Sequence, residues 1–220
     1  GPKDTEGKNW FAVASSSNGD KLAAVVNDGH IWTSSDSGAT WTKITSVGSK
    51  KWYTIESNSD GTKLAAAVEA GDIWTSSNSG ANWAAVGILG PLSSGSLFGI
   101  ASNSDGTKLA VAVGAGTIWT SSNSGATWTE GPANTKGENW FAVASSSNGD
   151  KLAAVVYYGG GNIWTSSDSG ATWTEGPDNT KGENWYSIAS SSDGTKLAAV
   201  VAEGNIWTSS NSGATWTEGA

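Results

Sequence analysis

One turn sequence recurs five times along this 220-residue chain and constrains its fold more than any other feature. The first copy reads WTSSDSGATWT at residues 32–42, and the other four differ from it at only a few positions. The glycines that align the copies are separated by 42, 45, 45 and 43 residues; they are Gly38, Gly80, Gly125, Gly170 and Gly213. A period of roughly 40 to 50 residues is typical of solenoids and propellers, so the sequence predicts a repeat protein.

Each repeat contains four short β-type runs separated by turn residues. In the first repeat these runs lie within residues 10–42, and Asn18-Gly19 and Gly29 separate the first three. Asn-Gly is a hairpin signal, and the density of Gly, Ser and Thr disfavours helix. Four antiparallel strands in about 44 residues is the size of a propeller blade.

The sequence therefore predicts an all-β fold, a single five-bladed β-propeller over residues 1–220 with the repeated turn between the third and fourth strands of each blade. The predicted blades cover 10–42, 52–84, 97–129, 140–174 and 185–217. A β-solenoid is the alternative, but its open ends would need caps, which the sequence does not show. Because each predicted blade is contiguous, ring closure is expected to rest on packing of the first blade against the fifth.

The repeated turn resembles the Asp-box, also called the BNR repeat, which is found in sialidases and many other β-propellers. Its pattern, Ser-x-Asp-x-Gly-x-Thr-Trp, is met in full at 34–41 and at 166–173. All five units carry the turn in phase, so the resemblance covers nearly the whole chain. It implies that the turns lie on the face away from an active site. Sialidases bind the substrate carboxylate with three arginines, and this chain has no Arg, so sialidase activity is not expected.

The residues of this turn are predicted to be structural. The acidic position holds Asp36 and Asp168 in two blades but Asn78, Asn123 and Asn211 in the other three. Both residue types accept hydrogen bonds from a turn backbone, whereas Asn cannot replace Asp as a catalytic base or a charged metal ligand. The glycine supplies a positive φ, and a tryptophan covers the turn. These tryptophans are Trp41, Trp83, Trp128, Trp173 and Trp216.

Nine other tryptophans fall into two groups. Five lie mid-strand beside an isoleucine and are predicted to pack between blades: Trp32, Trp74, Trp119, Trp164 and Trp207. Four open the first strand of a repeat, where the third repeat has Leu97: Trp10, Trp52, Trp140 and Trp185. Core packing is the prediction for the second group too, and a ligand platform at the mouth of the ring is the alternative.

Composition excludes several kinds of site. The chain has no Cys and a single histidine, His30, so no thiol chemistry, metal site or cofactor is expected. The net charge is −8 and the lysines are scattered, which argues against nucleic acid as a partner. No apolar run approaches the roughly 18 residues of a membrane span. The sequence predicts a soluble monomer, leaves the compartment open, and is compatible with secretion after removal of a signal peptide.

The repeats differ most in the loops after the second strand: NDGH (27–30), EAGD (69–72), GAGT (114–117), YYGGGN (157–162) and AEGN (202–205). Tyr157 and Tyr158 are the best candidates for ligand binding, because a tyrosine combines a stacking face with a hydroxyl. The other candidates are Asp28, His30, Glu69, Asp72 and Glu203. A glycosidase needs only two carboxyls roughly 5 to 10 Å apart. Scattered loop acids are usually solvated, however, so no catalytic residues and no enzyme are predicted.

Residues 9–26 and 139–156 are identical, which indicates recent duplication or deliberate construction. The linker at 84–96, with Ile88 and Leu89, is unlike the others. The predicted function is that of a non-enzymatic scaffold or binding module, an engineered or amplified repeat protein whose one demonstrable property is a stable ring. The alternatives are a lectin that binds glycans at the loop rim and an assembly factor that docks a protein partner. The basic groove expected for the assembly factor is not evident.

Overall fold

The computed structural model describes residues 5–69, 71–86 and 96–219, and in these residues the chain forms five four-stranded antiparallel sheets. Within each sheet the strands lie side by side in chain order. The protein is therefore a five-bladed β-propeller, as the sequence predicts. Ile88 and Leu89 of the unlike linker lie outside the described residues. No helix in the described part of the chain is long and apolar enough to cross a membrane.

The same four strand positions recur in every blade. The first strands are β1 (Trp10–Ser15), β5 (Trp52–Ser57), β9 (Leu97–Ser102), β13 (Trp140–Ser145) and β17 (Trp185–Ser190). The second strands are β2 (Leu22–Val26), β6 (Leu64–Val68), β10 (Leu109–Val113), β14 (Leu152–Val156) and β18 (Leu197–Val201). The third strands are β3 (Ile31–Ser34), β7 (Ile73–Ser76), β11 (Ile118–Ser121), β15 (Ile163–Ser166) and β19 (Ile206–Ser209). The fourth strands are β4 (Thr42–Ile44), β8 (Ala84–Val86), β12 (Thr129–Glu130), β16 (Thr174–Glu175) and β20 (Thr217–Glu218).

The hydrophobic core consists of four seams, each between neighbouring blades. In the last seam, Trp185 and Ile188 of β17 pack with Ala153, Val155 and Ile163 of the fourth blade. Trp52, Leu97 and Trp140 fill the other three seams in the same way. Each of the second to fifth blades thus buries the apolar face of its first strand by covering the preceding blade.

The opening tryptophans of the second, fourth and fifth blades belong to this core. Trp52, Trp140 and Trp185 have no exposed surface, so the alternative of a ligand platform is wrong for them. Each packs edge-on against the mid-strand tryptophan of its own blade, with ring centroids 5.8 to 6.2 Å apart. In these three blades the two groups of tryptophans therefore act together as inter-blade core, whereas Trp10 of the first blade is 36% exposed.

Backbone hydrogen bonds reinforce the seams at one end of the propeller. The Ser17 N–H donates to the carbonyl of Ser59, and the same bond runs from Ser59 to Ser104, from Ser104 to Ser147 and from Ser147 to Ser192, with lengths of 2.7 to 2.9 Å. These serines precede the hairpin turn between the first and second strands of each blade. The four bonds tie the five hairpins into one series.

The predicted packing of the first blade against the fifth is not observed. Ile206 of β19 is 58% exposed, whereas the equivalent isoleucine of every other blade is fully buried. Val13 of β1 is 66% exposed, whereas its equivalents are 2% to 8% exposed. Among the described residues, the apolar faces of the first and fifth blades are therefore not in contact as the faces of the other neighbouring blades are.

The repeated turn is held by its own side chains. In the first blade, Ser34 Oγ donates to Asp36 Oδ1 at 2.7 Å and accepts the Gly38 N–H at 2.9 Å. The Thr40 N–H donates to Asp36 Oδ1 at 2.8 Å. Gly38 has a φ of 85°, and the residue before it, Ser37, has a φ of 57°. The turn therefore needs two successive left-handed residues, of which the sequence indicated only the glycine.

The asparagine copies keep this geometry. Asn123 Oδ1 accepts the Thr127 N–H at 2.8 Å, as the aspartate does in the first blade. Asp36 Oδ2 accepts from the Thr40 hydroxyl, whereas Asn123 Nδ2 donates to the Thr127 hydroxyl. A threonine hydroxyl can do either, so the exchange of Asp for Asn leaves the turn intact. Hydrogen bonds from Thr40, followed by the one from Ser34, lower the pKa of Asp36 to about 2.

The tryptophan of the turn closes it in three blades through its indole nitrogen. Nε1 of Trp83, Trp173 and Trp216 donates to the carbonyl of the turn glycine at 3.0 to 3.1 Å. Trp41 and Trp128 are half-buried at the same position. The ring covers the turn and joins it to the seam.

We expect Asp168→Asn to change the free energy of unfolding by less than about 0.5 kcal/mol, since asparagine fills this position in three blades. Trp173→Ala removes a ring that is 5% exposed together with its hydrogen bond to Gly170, and we expect it to cost about 3 to 5 kcal/mol. Denaturant unfolding measures both. Equal losses would show that the charge of Asp168 has a role beyond the turn.

Candidate functional site

The two ends of the propeller carry different residues. Trp10 at the start of β1 pairs with Val26 at the end of β2, so each first strand begins beside the loop between the second and third strands. The variable loops therefore surround one end, which we call the mouth. The repeated turns lie at the opposite end, where the Ser37 N–H donates to the carbonyl of Asp20 in the first hairpin.

Five aromatic rings, one from each blade, line the mouth. They belong to the second residue of each first strand: Phe11, Tyr53, Phe98, Phe141 and Tyr186. The centroids of successive rings are 5.1, 5.2, 5.1 and 4.9 Å apart, the distances of stacked and edge-to-face pairs. In the described residues no ring contact joins Tyr186 back to Phe11. We call this open series the aromatic arc.

The loop of the fourth blade extends the aromatic arc. The Tyr157 ring lies 5.0 Å from Phe141 and 5.9 Å from Tyr186, and Tyr158 packs on Tyr157 at 4.1 Å. The hydrogen bond with Tyr158 raises the pKa of Tyr157. Tyr158 is 62% exposed and Tyr186 is 52% exposed. The structure thus brings the two predicted tyrosines together with rings that the sequence analysis did not single out.

The sequence does contain a signal for the aromatic arc. Every repeat places Phe or Tyr directly after its opening residue, as WF, WY, LF, WF and WY. In every blade the strand register shifts at this aromatic residue, so it is the extra residue of a β-bulge and has no partner on the second strand. The bulge turns this ring toward the mouth, and the opening Trp or Leu stays on the same face of the blade as the third residue after it.

Two of the predicted acids lie near these rings. Burial raises the pKa of Tyr53, and the charges of Tyr186 and Glu69 add to the rise. Glu203 contributes in the same direction to the pKa of Tyr157, after the larger effect of Tyr158. Glu69 is positioned by its backbone N–H, which donates to the carbonyl of Lys51 at 2.9 Å. Lys51 Nζ lies 4.0 Å from Glu69 Oε2, so the mouth combines aromatic surface with this ion pair and with the acid Glu203.

The remaining predicted residues lie in the loops of the first and second blades. Asp28 is exposed with a φ of 54°, and Asp72 is exposed in the equivalent loop of the second blade. His30 is half-buried, and burial, followed by the charge of Lys43, lowers its pKa. The described residues show no ring contact or ion pair between these three side chains and the aromatic arc. Nor do they contain a group of three acidic or histidine side chains that could hold a metal ion.

Glu56 of β5 is a carboxyl that the sequence analysis missed. The other four blades have alanine at its position: Ala14, Ala101, Ala144 and Ala189. Glu56 lines a cavity of about 300 Å³ between the second and third blades, at the end that carries the repeated turns. Lys63 Nζ, in the same cavity, donates to Ser124 Oγ and makes no ion pair with Glu56. Burial raises the pKa of Glu56 to about 7.

No protein-family model and no curated protein sequence matches this chain. Among solved structures, the GH74 enzyme of Niastella koreensis matches with a TM-score of 0.78 and 15% identity, over 96% of this chain and 38% of that one. The GH74 xyloglucanase of Xanthomonas campestris matches with a TM-score of 0.71 and 21% identity, over 92% of this chain and 36% of that one. YCF48 bound to D1 peptide matches with a TM-score of 0.68 and 17% identity, over 95% of this chain and 67% of that one.

These matches show the propeller fold alone, because all three identities are low. This chain also spans only 38% and 36% of the two GH74 chains. The fold therefore occurs both in enzymes and in a protein that binds a peptide.

We expect Glu56→Ala to stabilise the protein at neutral pH and to have little effect at pH 4. The folded-state pKa of about 7 lies above the ordinary value of 4.5, so the folded chain holds the proton more tightly than the unfolded chain. The cost of ionising Glu56 is absent below the ordinary value, grows as the pH rises, and is complete above about 7. The gain at pH 8 should be about 1 to 3 kcal/mol.

Denaturant unfolding of the wild type and the variant across this pH range measures the difference. Glu6→Ala, at an exposed glutamate, is the matched control and should leave the pH profile unchanged. Parallel profiles for wild type and Glu56→Ala would show that the half-buried Glu56 carboxyl is not the source of the pH dependence.

Proposed function

We propose that this chain is a non-enzymatic binding module and that the aromatic arc, with Tyr157 and Tyr158, is its binding surface. The observation that carries the proposal is the continuity of the arc, whose rings lie about 5 Å apart across all four seams. Exposed aromatic clusters of this kind mark binding surfaces, because the rings lose water contact when a ligand covers them. Tyr158 and Tyr186 are both more than half exposed.

We infer that the partner is a protein that presents an extended segment with neutral or basic side chains. Lysine and arginine side chains stack on aromatic faces and pair with carboxylates. Glu69 and Glu203 lie beside the rings, and the net charge of −8 would repel an acidic segment. YCF48, which has the same fold, binds a peptide, and this supports a peptide segment as the ligand.

A glycan is the second candidate ligand. The exposed face of Tyr158 and its hydroxyl are groups that can stack on a sugar ring and bond to its hydroxyls. One protein with the same fold is a xyloglucanase. In this case the chain would be a lectin with its site at the rim of the mouth.

We propose no catalytic role for the acids. The loop acids are divided among the first, second and fifth blades. Glu56, whose pKa is raised, lies at the end away from the mouth and has no second acid among the residues that line its cavity. Glycoside hydrolysis needs a pair of carboxyls at one site.

The repeated turns are, in this proposal, Asp-box turns that serve as scaffold. Their hydrogen bonds tolerate Asp or Asn equally, which supports a structural role. The identity of residues 9–26 and 139–156 supports an origin by amplification of one blade, natural or engineered.

Two arrays test the binding surface, one of neutral, basic and acidic peptides and one of glycans. We expect selective binding of neutral or basic peptides. The double variant Tyr158→Ala/Tyr186→Ala should raise the Kd of these peptides by at least about tenfold. Glu203→Gln should weaken the binding of basic peptides more than the binding of neutral ones. Ser35→Ala, at an exposed position of the opposite end, is the control.

Glycan binding that the double variant abolishes would favour the lectin function over peptide binding. Peptide binding that survives the double variant, or that the Ser35 control also loses, would place the site elsewhere. Blank arrays would contradict a binding function for the mouth.

A further inference from the structure

Among the described residues, the first and fifth blades each have an apolar face that no other blade covers. The first-blade edge consists of Trp10 and Val13, which are 36% and 66% exposed. The fifth-blade edge consists of Ala198, Val200 and Ile206, none of which is fully buried. In every other blade the equivalents of both sets lie inside a seam.

The two edges are counterparts of each other. The first-blade edge has the same sequence as Trp140 and Val143 of the fourth blade, which fill the third seam. The fifth-blade edge has the same residue types as one face of the fourth blade, which Trp185 covers. That face consists of Ala153, Val155 and Ile163. Joining the two edges would therefore create a seam of the same kind as those that this chain makes internally.

The hydrogen bonds at the edges are also left open. The series of backbone bonds from Ser17 to Ser192 ends there, and the described residues give the Ser192 N–H no backbone partner. A new seam would continue the series from Ser192 to the carbonyl of Ser17 in another copy.

The charges of the two edges match in the same way. At the third seam, Lys108 of the third blade makes an ion pair with Asp150 of the fourth. The equivalents of these residues at the edges are Lys196 on the fifth blade and Asp20 on the first. Each edge thus carries the charge that would complete the other.

We propose that the fifth-blade edge of one copy binds the first-blade edge of a second copy, so that the protein associates head to tail. The two edges of one copy do not pack together, so a second copy is the counterpart that the chain itself supplies. An interface between two different surfaces is heterologous, and it leaves one free edge of each kind at the ends of the assembly.

Two variants block one edge each. Val13→Lys places a charge on the first-blade edge, and Ile206→Lys places one on the fifth-blade edge. Both positions are exposed in a single copy, so neither change should lower the thermal midpoint by more than a few degrees. Ser35→Lys, at the turn end of the first blade, is the matched control.

Sedimentation velocity from micromolar to near-millimolar protein tests the proposal. We expect the average mass of the wild type and of Ser35→Lys to rise with concentration, and each blocked variant to remain a monomer. An equimolar mixture of Val13→Lys and Ile206→Lys should form a one-to-one dimer and nothing larger, because each variant supplies the edge that the other lacks.

A wild type that stays monomeric throughout would overturn the proposal. So would a mixture of the two variants that stays monomeric, or a single blocked variant that still associates with itself. These outcomes do not depend on any ligand at the mouth, so they are distinguishable from failure of the proposed binding function.

Discussion

The packing of a blade's opening Trp or Leu on the Ala, Val and Ile face of the preceding blade holds this molecule together. A single four-stranded blade is too small to bury its own apolar faces, so its stability depends on its neighbours. A buried tryptophan removes about 150 to 250 Å² from water, which is worth about 4 to 6 kcal/mol before the entropy of ordering is subtracted. Trp52, Trp140 and Trp185 supply this burial in three of the four seams.

The seams also create the candidate binding surface. The residue after the opening residue of each first strand is the extra residue of a β-bulge, and five such residues meet at the mouth as the aromatic arc. The spacing of about 5 Å between rings is therefore a consequence of blade packing. The loops at the mouth differ between the blades, whereas the repeated turns at the opposite end are nearly identical.

The periodic features of the fold were predictable from the sequence. The count of blades, the four strands of each and the position of the repeated turn follow from a pattern that occurs five times. Features that depend on one residue or on side-chain direction were not predicted. The aromatic arc needs the strand register, and Glu56 becomes unusual only once the seam around it is known to be buried.

The open ring shows most clearly what the sequence could not specify. Residues 9–26 and 139–156 are identical, and both form the inner part of a blade. Yet Trp10 is 36% exposed where Trp140 is fully buried, and Val13 is 66% exposed where Val143 is 7% exposed. The same eighteen residues therefore have two environments, and the difference is the presence of a preceding blade. Burial here depends on the neighbouring blade, so a repeat that forms core inside the array has an exposed apolar face at its edge.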